Sequence, residues 1–456
     1  VEALKGESHF FNLALRLLEA SRLHETYRSS QCLNLIASEG LKSPAVSSLL
    51  SFCKDLESRY SEGENDLHGH VLTRHYQGQR YITEIENLTA DLLKELFQCD
   101  WVDHRCISGT HANLVTFKGL SMASGNRKMV VPPLGCGAHI SHDYTGLAGM
   151  VIGLETIHHA FNMEEMNIDP DKSAAIIRAT EPGIVTFGGS LFLFPHPVKE
   201  LVEVAKEVGA YTVYDAAHVL GLIAGGEFQD PLGEGVDFVT SSTHKTFAGP
   251  QGGLVLARLE GGIEARVKGA KKIMRAIFPM ATSNTHPGRL PALGLTAVEM
   301  KAFGEALARQ TVRNAKKAGE ILCEEGLKVL GEKKGFTKSH QVVLDVRAWR
   351  GGKKVAETLE EAHIIVNKNL LPYDDRNDRE NPSGIRLGFQ DVTRRGFDEG
   401  TIEELCRLMA DLIKGKKKAE EVKPEVLEIV RKHREIKYGF QSLEEAVEWL
   451  KEHSIS

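Results

Sequence analysis

The chain has 456 residues, 42% hydrophobic and 26% charged, with a formal net charge of −6. That length accommodates two domains around a sizeable core, and the slightly acidic balance excludes a chain built to bind nucleic acid. Seven cysteines (Cys32, Cys53, Cys99, Cys106, Cys136, Cys323 and Cys406) are scattered with no CxxC pair, which suits a reduced cytoplasmic protein better than a disulfide framework. The N-terminal run has no basic stretch leading into an apolar one, so no signal peptide is expected. No apolar run approaches the roughly 18 residues of a membrane span.

Residues 8–29 predict an amphipathic helix, because Phe10, Leu13, Leu15, Leu17, Leu18 and Leu23 fall near a 3.6-residue period. With its flanks it forms an N-terminal helical arm over 1–30. From 31 to 295 short apolar runs alternate with helical stretches. The runs Met129–Val131, Gly183–Phe187, Tyr211–Tyr214, Val236–Thr240 and Gly253–Ala257 read as strands. This alternation predicts an α/β fold with a mostly parallel sheet covered on both faces. A long helix over Thr296–Gly326 then opens a smaller α+β domain, 296–456, with strands at Gln341–Val346, His363–Val366 and Gly384–Leu387. Its tail after Gly415 is helix-prone. The basic run Lys416–Lys418 reads as a solvated helix face, because Glu420 and Glu421 follow it.

Three segments carry chemistry. The apolar run Tyr211–Tyr214 ends in Asp215. A buried acid at a strand end needs a positive partner or else caps the next turn, and ligands of open α/β sheets bind at such carboxyl ends. The run from Val236 ends in Ser242-Thr-His244-Lys245, followed by a glycine-rich stretch. Lys245 there is either a snorkelling surface lysine or a buried amine of lowered pKa, fit to form a Schiff base. The third segment, Ser108-Gly109-Thr110-His111-Ala-Asn113, opens a helix after a short strand. Its free amides form either an ordinary cap or an anion cradle. An anion cradle, a strand-end acid and a strand-end lysine are together what pyridoxal 5′-phosphate (PLP) requires: phosphate anchorage, a pyridinium partner and an amine.

The chain resembles the serine hydroxymethyltransferases, especially those of archaeal type. The residues that carry the resemblance run from Leu33 to Phe397: Leu33-Asn-Leu-Ile-Ala-Ser38-Glu39, Arg59-Tyr60-Ser-Glu62-Gly63, Arg74-His-Tyr76-Gln-Gly78, the Ser108–Asn113 segment, His139-Ile-Ser-His142, Asp215-Ala-Ala-His218, Ser242–Lys245, Asn367-Lys-Asn369, Ser383-Gly-Ile-Arg386-Leu-Gly388 and Thr393-Arg-Arg-Gly-Phe397. The resemblance implies an aminotransferase-like PLP fold of type I, with the cofactor covalently on Lys245. It implies that Asp215 partners the pyridine nitrogen, that His139 stacks on the ring, that Ser190 and His218 lie near the ring 3′-oxygen, and that His244 is among the residues binding the cofactor. Ser108, Gly109 and Thr110 are implied as the phosphate loop, with Tyr60 reaching in from a second copy in a homodimer with shared sites. Ser38 and Arg386 are implied as the carboxylate clamp of the amino acid, Glu62 and Tyr76 as the pair at the substrate hydroxyl, and Leu134, Ala138 and Asn369 as contacts of a reduced pterin. The implied reaction interconverts serine and glycine and passes a one-carbon unit to a tetrahydropterin, either tetrahydrofolate or a methanopterin-type carrier.

Four segments depart from the commonest pattern of that family: an insertion around Asn65–Thr73, Met280–Gly288 in place of a glycine-rich run, Gly40 after Ser38-Glu39, and Phe389-Gln-Asp391 after Gly388. They touch the pterin side more than the PLP side. Two other readings of the function stand beside the first. One is a pterin-independent aldolase or transaldolase of β-hydroxy amino acids such as threonine; the other is an inactive relative acting as a scaffold. The spacing Cys136-x2-His139-x2-His142 is zinc-like, but no fourth ligand is near and no metal is expected. The His158-His159 pair reads as structural.

Overall fold

The computed structural model describes residues 2–259 and 264–454; the first residue of the predicted arm and the last two of the tail lie outside these. The centre is a seven-stranded sheet made of β1 (Trp101–Asp103), β2 (Lys128–Val131), β3 (Glu155–His158), β4 (Ile184–Gly188), β5 (Tyr211–Asp215), β6 (Phe238–Ser242) and β7 (Gly253–Ala257). Their order across the sheet is β1-β7-β6-β5-β4-β2-β3. The pairs β2–β3, β2–β4, β4–β5 and β5–β6 are parallel, whereas β7 runs antiparallel to both of its neighbours.

Alternate side chains of these strands feed two separate cores, as the two-residue period of a strand requires. Val130, Val185, Phe187, Tyr214, Val239 and Leu254 face one layer of helices. Met129, Val131, Ile184, Val213, Phe238 and Val255 face the other, which contains the helix Gly109–Ser124 and the helix Glu264–Arg275.

A third core belongs to the C-terminal unit. It gathers Val342 and Leu344, Ile385 and Leu387, and helical residues such as Val355, Leu405 and Val426. Leu33 and Leu35, which precede the large sheet in sequence, pack into this core. The small sheet differs from expectation at one strand. Residues 363–366 yield only Ile364–Ile365, which pairs in parallel with Leu33–Asn34 in a separate ribbon. His363 holds a left-handed φ of 64°, which ends any extended run on its N-terminal side. The four-stranded sheet instead comprises Lys328–Val329, Gln341–Asp345, Gly384–Gly388 and Asn367–Asn369.

The N-terminal helix is present, over Glu2–Ser30. Its expected apolar residues do not pack on their own chain. Phe10, Leu13, Leu15, Leu17, Leu18 and Leu23 are all exposed, Leu18 by 68%. The long helix starts earlier than the periodicity suggests, at Leu290, with Pro291 in its first turn, and runs for 35 residues to Glu324. Proline is tolerated there because a first-turn amide has no helical acceptor.

Candidate active site

The carboxyl ends of β4, β5 and β6 open onto a cavity of about 200 Å³, lined by Ser108, Gly109, Thr110, Asn113, His139, Gly189, Ser190, Asp215, Ala217, His218, Ser242, His244, Lys245 and Gln251. Every cofactor-side residue predicted from the sequence, except Tyr60, is in that lining. Gly188 lets β4 turn away at this point. Its φ is 83°, and a Cβ on it would lie 2.1 Å from the Asp215 carbonyl oxygen.

Asp215 is the best-anchored group. Its Oδ2 accepts hydrogen bonds from Asn113 Nδ2 at 2.8 Å and His142 Nε2 at 2.9 Å, and its Oδ1 accepts from Ala217 N at 3.0 Å. Asn113 is itself fixed. Its Oδ1 accepts from Thr240 Oγ1 at 2.6 Å, and its amide also donates to Ser141 Oγ at 2.9 Å. Burial on its own would raise the Asp215 pKa. The His142 hydrogen bond, the charges of His142 and His139, and the Asn113 donor outweigh it and hold the carboxyl well below the usual range. The acid is therefore ionised in the floor of the cavity.

Lys245 lies three residues beyond β6, and its Nζ donates to Ser242 Oγ at 2.9 Å. Burial lowers its pKa below the ordinary lysine value; the Asp215 charge opposes the shift and Arg386 reinforces it. Burial likewise pushes His139 down to about 4, and His244 to about 4 with help from Lys245. His139 is held through Nδ1 by Ser141, 2.7 Å from its Oγ. Ser108 caps the helix Gly109–Ser124 by accepting from His111 N at 3.1 Å. Gly109 is pressed against β6, where a Cβ would come within 3.1 Å of Ser242 Cβ.

A second cavity of about 450 Å³ adjoins the first. It is lined by Leu134, Gly137, Ala138, Ile140, Ser190, Leu191, Lys368, Asn369, Leu370, Arg379 and Pro382. Ser190 is common to both linings, so the two spaces share one wall. The three residues expected to contact a pterin (Leu134, Ala138 and Asn369) are brought together here. Arg386 is buried. Its Nε donates to Asn367 Oδ1 at 3.2 Å and its Nη1 to the Ser190 carbonyl, and burial lowers its pKa to about 10. Ser38 is half-buried in the turn before Gly40. A Cβ on Gly40 would lie 2.1 Å from the Lys245 carbonyl oxygen and 2.6 Å from that of His244, so a side chain at this position would force the lysine backbone to move.

Tyr60, Glu62 and Tyr76 do not line the cavity of their own chain. The Tyr60 and Tyr76 rings pack with centroids 4.8 Å apart and their planes tilted by 38°, and both are exposed by 47%. Their segment is nonetheless well held. Asn284 Oδ1 accepts from Ser61 N at 2.8 Å and Asn284 Nδ2 donates to the Arg59 carbonyl at 3.0 Å, while Arg74 bonds the Ser61 carbonyl and Glu86. Two of the departures from the family pattern are thereby explained locally: Asn284 belongs to one, and the insertion around Asn65–Thr73 docks on the helix Arg80–Phe97 through Asn87, Asp91 and Lys94.

The zinc-like spacing does not gather ligands. Among the described residues no group of three or more metal-binding side chains exists, and His142 is committed to Asp215. Sequence reading assigned no role to Asn113, His142 or Thr240. Helical spacing carried a signal for Asn113, which lies about one turn above Gly109 and Thr110 and so faces the same way.

A family profile described as serine hydroxymethyltransferase matches residues 17–409. The chain belongs to the serine hydroxymethyltransferase family. The chain is 45% identical to a serine hydroxymethyltransferase of Staphylothermus marinus over 94% of each protein. It is 45% identical to one of Saccharolobus islandicus over 94% of this chain and 95% of that one. The crystal structure of L-threonine transaldolase from Pseudomonas fluorescens in its internal aldimine state superposes with a TM-score of 0.83 at 26% identity, covering 99% of this chain and 100% of that one. The fold is that of a type I PLP enzyme, and the chain is a PLP-dependent hydroxymethyltransferase. Its donor set fits PLP: an ionised carboxylate, an amine whose proton is weakly held, and amides at a helix start around a cavity. His244 Nδ1 is also buried with no protein partner, as expected of a group meant to meet a ligand.

Proposed function

We propose that this chain interconverts serine and glycine and hands the one-carbon unit to a tetrahydropterin. The observation that carries the reading is the shared wall at Ser190. A cavity suited to PLP and a larger, more apolar cavity adjoin there, the adjacency that handing carbon from one bound molecule to another would need. Lys245 would hold PLP covalently, Asp215 would keep the proton on the pyridine nitrogen, and the amides at Ser108, Gly109 and Thr110 would bind the phosphate. When bound, PLP supplies the electron sink for the pair left on Cα as the Cα–Cβ bond of serine breaks. Arg386, with Ser38, would orient the substrate carboxylate. The Nε and Nη1 groups of Arg386 are already engaged, which aims the rest of the guanidinium fork.

Glu62 and Tyr76, with Tyr60, would serve the site of a second copy, Glu62 moving the hydroxyl proton of serine. A homodimer is supported by the exposed apolar side chains of Glu2–Ser30, among them Phe10, Phe11, Leu15, Leu17 and Leu18, because exposed apolar surface of this kind marks interaction sites. Sedimentation that found an active monomer would overturn this part. The division into an arm (1–30), a large domain (31–295) and a small domain (296–456), and a cytoplasmic setting in keeping with seven free cysteines, belong to the same proposal.

The acceptor is tested by the visible spectrum of the holoenzyme with glycine, before and after adding tetrahydrofolate and then a methanopterin-type carrier. A long-wavelength band that grows only with a pterin supports the reading and names the better carrier. The likeness to L-threonine transaldolase favours one rival, a pterin-independent enzyme of β-hydroxy amino acids. A spectrum indifferent to both pterins, with threonine cleaved as fast in their absence, selects that rival.

A further inference from the structure

Gln341 opens the strand Gln341–Asp345 of the small sheet and is fully buried. Its side-chain amide faces partners that can bond in only one way. The oxygen lies 3.0 Å from Phe192 N, a pure donor. The nitrogen lies 3.0 Å from the Ser190 carbonyl oxygen, a pure acceptor. These two neighbours fix the orientation of the amide without appeal to its shape. The nitrogen's second hydrogen then points to His218 Nδ1, also 3.0 Å away, and not to His340 Nε2 at 3.4 Å, which gives its own hydrogen to the Ala37 carbonyl oxygen. That ring nitrogen must accept, so the proton of His218 sits on Nε2. His340 stacks on the same imidazole at 5.8 Å with 20° between the planes, and its own Nε2 donates to the Ala37 carbonyl at 3.1 Å. His218 is thus held by its edge and its face.

We propose that Gln341 is a positioning residue that locks His218 as the Nε2–H tautomer and ties it to the Ser190–Phe192 stretch, whose Ser190 lines both cavities, so that the cofactor cavity receives one fixed N–H donor. His218 lines that cavity, and burial, with the nearby Lys245 and Arg386 charges, keeps the imidazole neutral by pushing its pKa well below 6.5. A neutral donor of fixed direction suits an anionic oxygen on the cofactor ring; an imidazole exchanging tautomers would present a lone pair there part of the time. The inference rests on the cofactor reading above but not on the pterin.

The test uses holoenzyme labelled with ¹⁵N-histidine, with His218 assigned through His218→Asn. In the unsubstituted protein Nε2 carries the proton and Nδ1 shows the shift of a bare ring nitrogen. In Gln341→Met the two nitrogen shifts move toward each other and the visible band of the bound cofactor changes its pH dependence. The KM for serine stays within about twofold while kcat falls roughly tenfold, the weight of one hydrogen bond. In Gln341→Glu the carboxylate draws the proton to Nδ1 and the pH profile of kcat shifts by about one unit or more. A proton on Nδ1 in the unsubstituted enzyme overturns the proposal, as do unchanged His218 shifts and an unchanged profile in Gln341→Met. The first of these readings needs no Gln341 variant and stands even if Gln341→Met fails to fold. An enzyme that ignores pterins would overturn the proposed function while leaving the tautomer result as it is.

Discussion

Replacing Asp215 with asparagine keeps the shape of the side chain and removes one acceptor oxygen. The carboxylate meets three donors: Asn113 and His142 on Oδ2 and the Ala217 amide on Oδ1. An amide has a single oxygen. If that oxygen takes the Oδ2 position, the new NH2 faces the Ala217 N–H; if it takes Oδ1, the NH2 faces two donors. The better choice leaves one buried donor unmade, at about 1–3 kcal/mol, and reduces two charge-assisted bonds to ordinary ones, at about 1 kcal/mol more. D215N should therefore lose about 2–4 kcal/mol before any ligand is considered. Charge linkage agrees in sign, because a carboxyl held below its unfolded pKa stabilises the fold at neutral pH. Urea unfolding of the cofactor-stripped protein, with the slope unchanged and the midpoint lowered, measures the effect. In the holoenzyme, on the proposed placement of PLP, the same change would remove the charge facing the pyridine nitrogen and should cut kcat by about 10²-fold or more. A stripped D215N protein with an unaltered urea midpoint would show that the three donors do not converge as described.

Acid sensitivity should begin well above the carboxylate range. Burial holds His104 and His159 at about 4 and His196 and His340 at about 3. Between about pH 6.5 and 4 the unfolded chain binds protons that the native state refuses, so stability must fall as pH drops through that window; denaturation midpoints flat from pH 7 to pH 4.5 would contradict it. Gly40→Ala places a Cβ 2.1 Å from the Lys245 carbonyl oxygen, so covalent PLP occupancy, read from the visible band, should fall while the overall circular dichroism is kept. Asn369→Ala should raise the KM for the pterin several-fold and leave the glycine-induced spectrum without pterin unchanged, because Asn369 lines the second cavity and not the first.

Much of this arrangement was legible in the residues. The alternating apolar runs at 129–131, 211–214 and 253–257 reappear as strands, because both faces of the sheet are covered and a doubly buried strand has few other ways to be written. Asp215, Lys245 and the Ser108–Thr110 turn converge, because a parallel sheet brings the carboxyl ends of its strands to one edge. Less of the second tier could be read. Gln341 and His142 act on the cavity from 123 and 73 residues away from His218 and Asp215, and no local period encodes such a pairing. The strand at 363–366 failed for a local reason, the left-handed His363. The N-terminal helix was legible as a helix but not as an amphipathic one: its apolar side chains spread around the axis instead of lining one face, and the pattern cannot say whose surface they will cover.

The helix Leu290–Glu324 lends Leu290, Leu293, Ala297 and Met300 to one core of the large sheet and Ala315, Ala318, Ile321 and Leu322 to the core of the C-terminal unit. At about 52 Å it is a spar rather than a linker. Neither core can melt without unravelling a helix that the other requires, so the two halves share one fate in unfolding. A hinge between the two cores would have to lie outside this helix or break it, because its two ends are each packed into a different core.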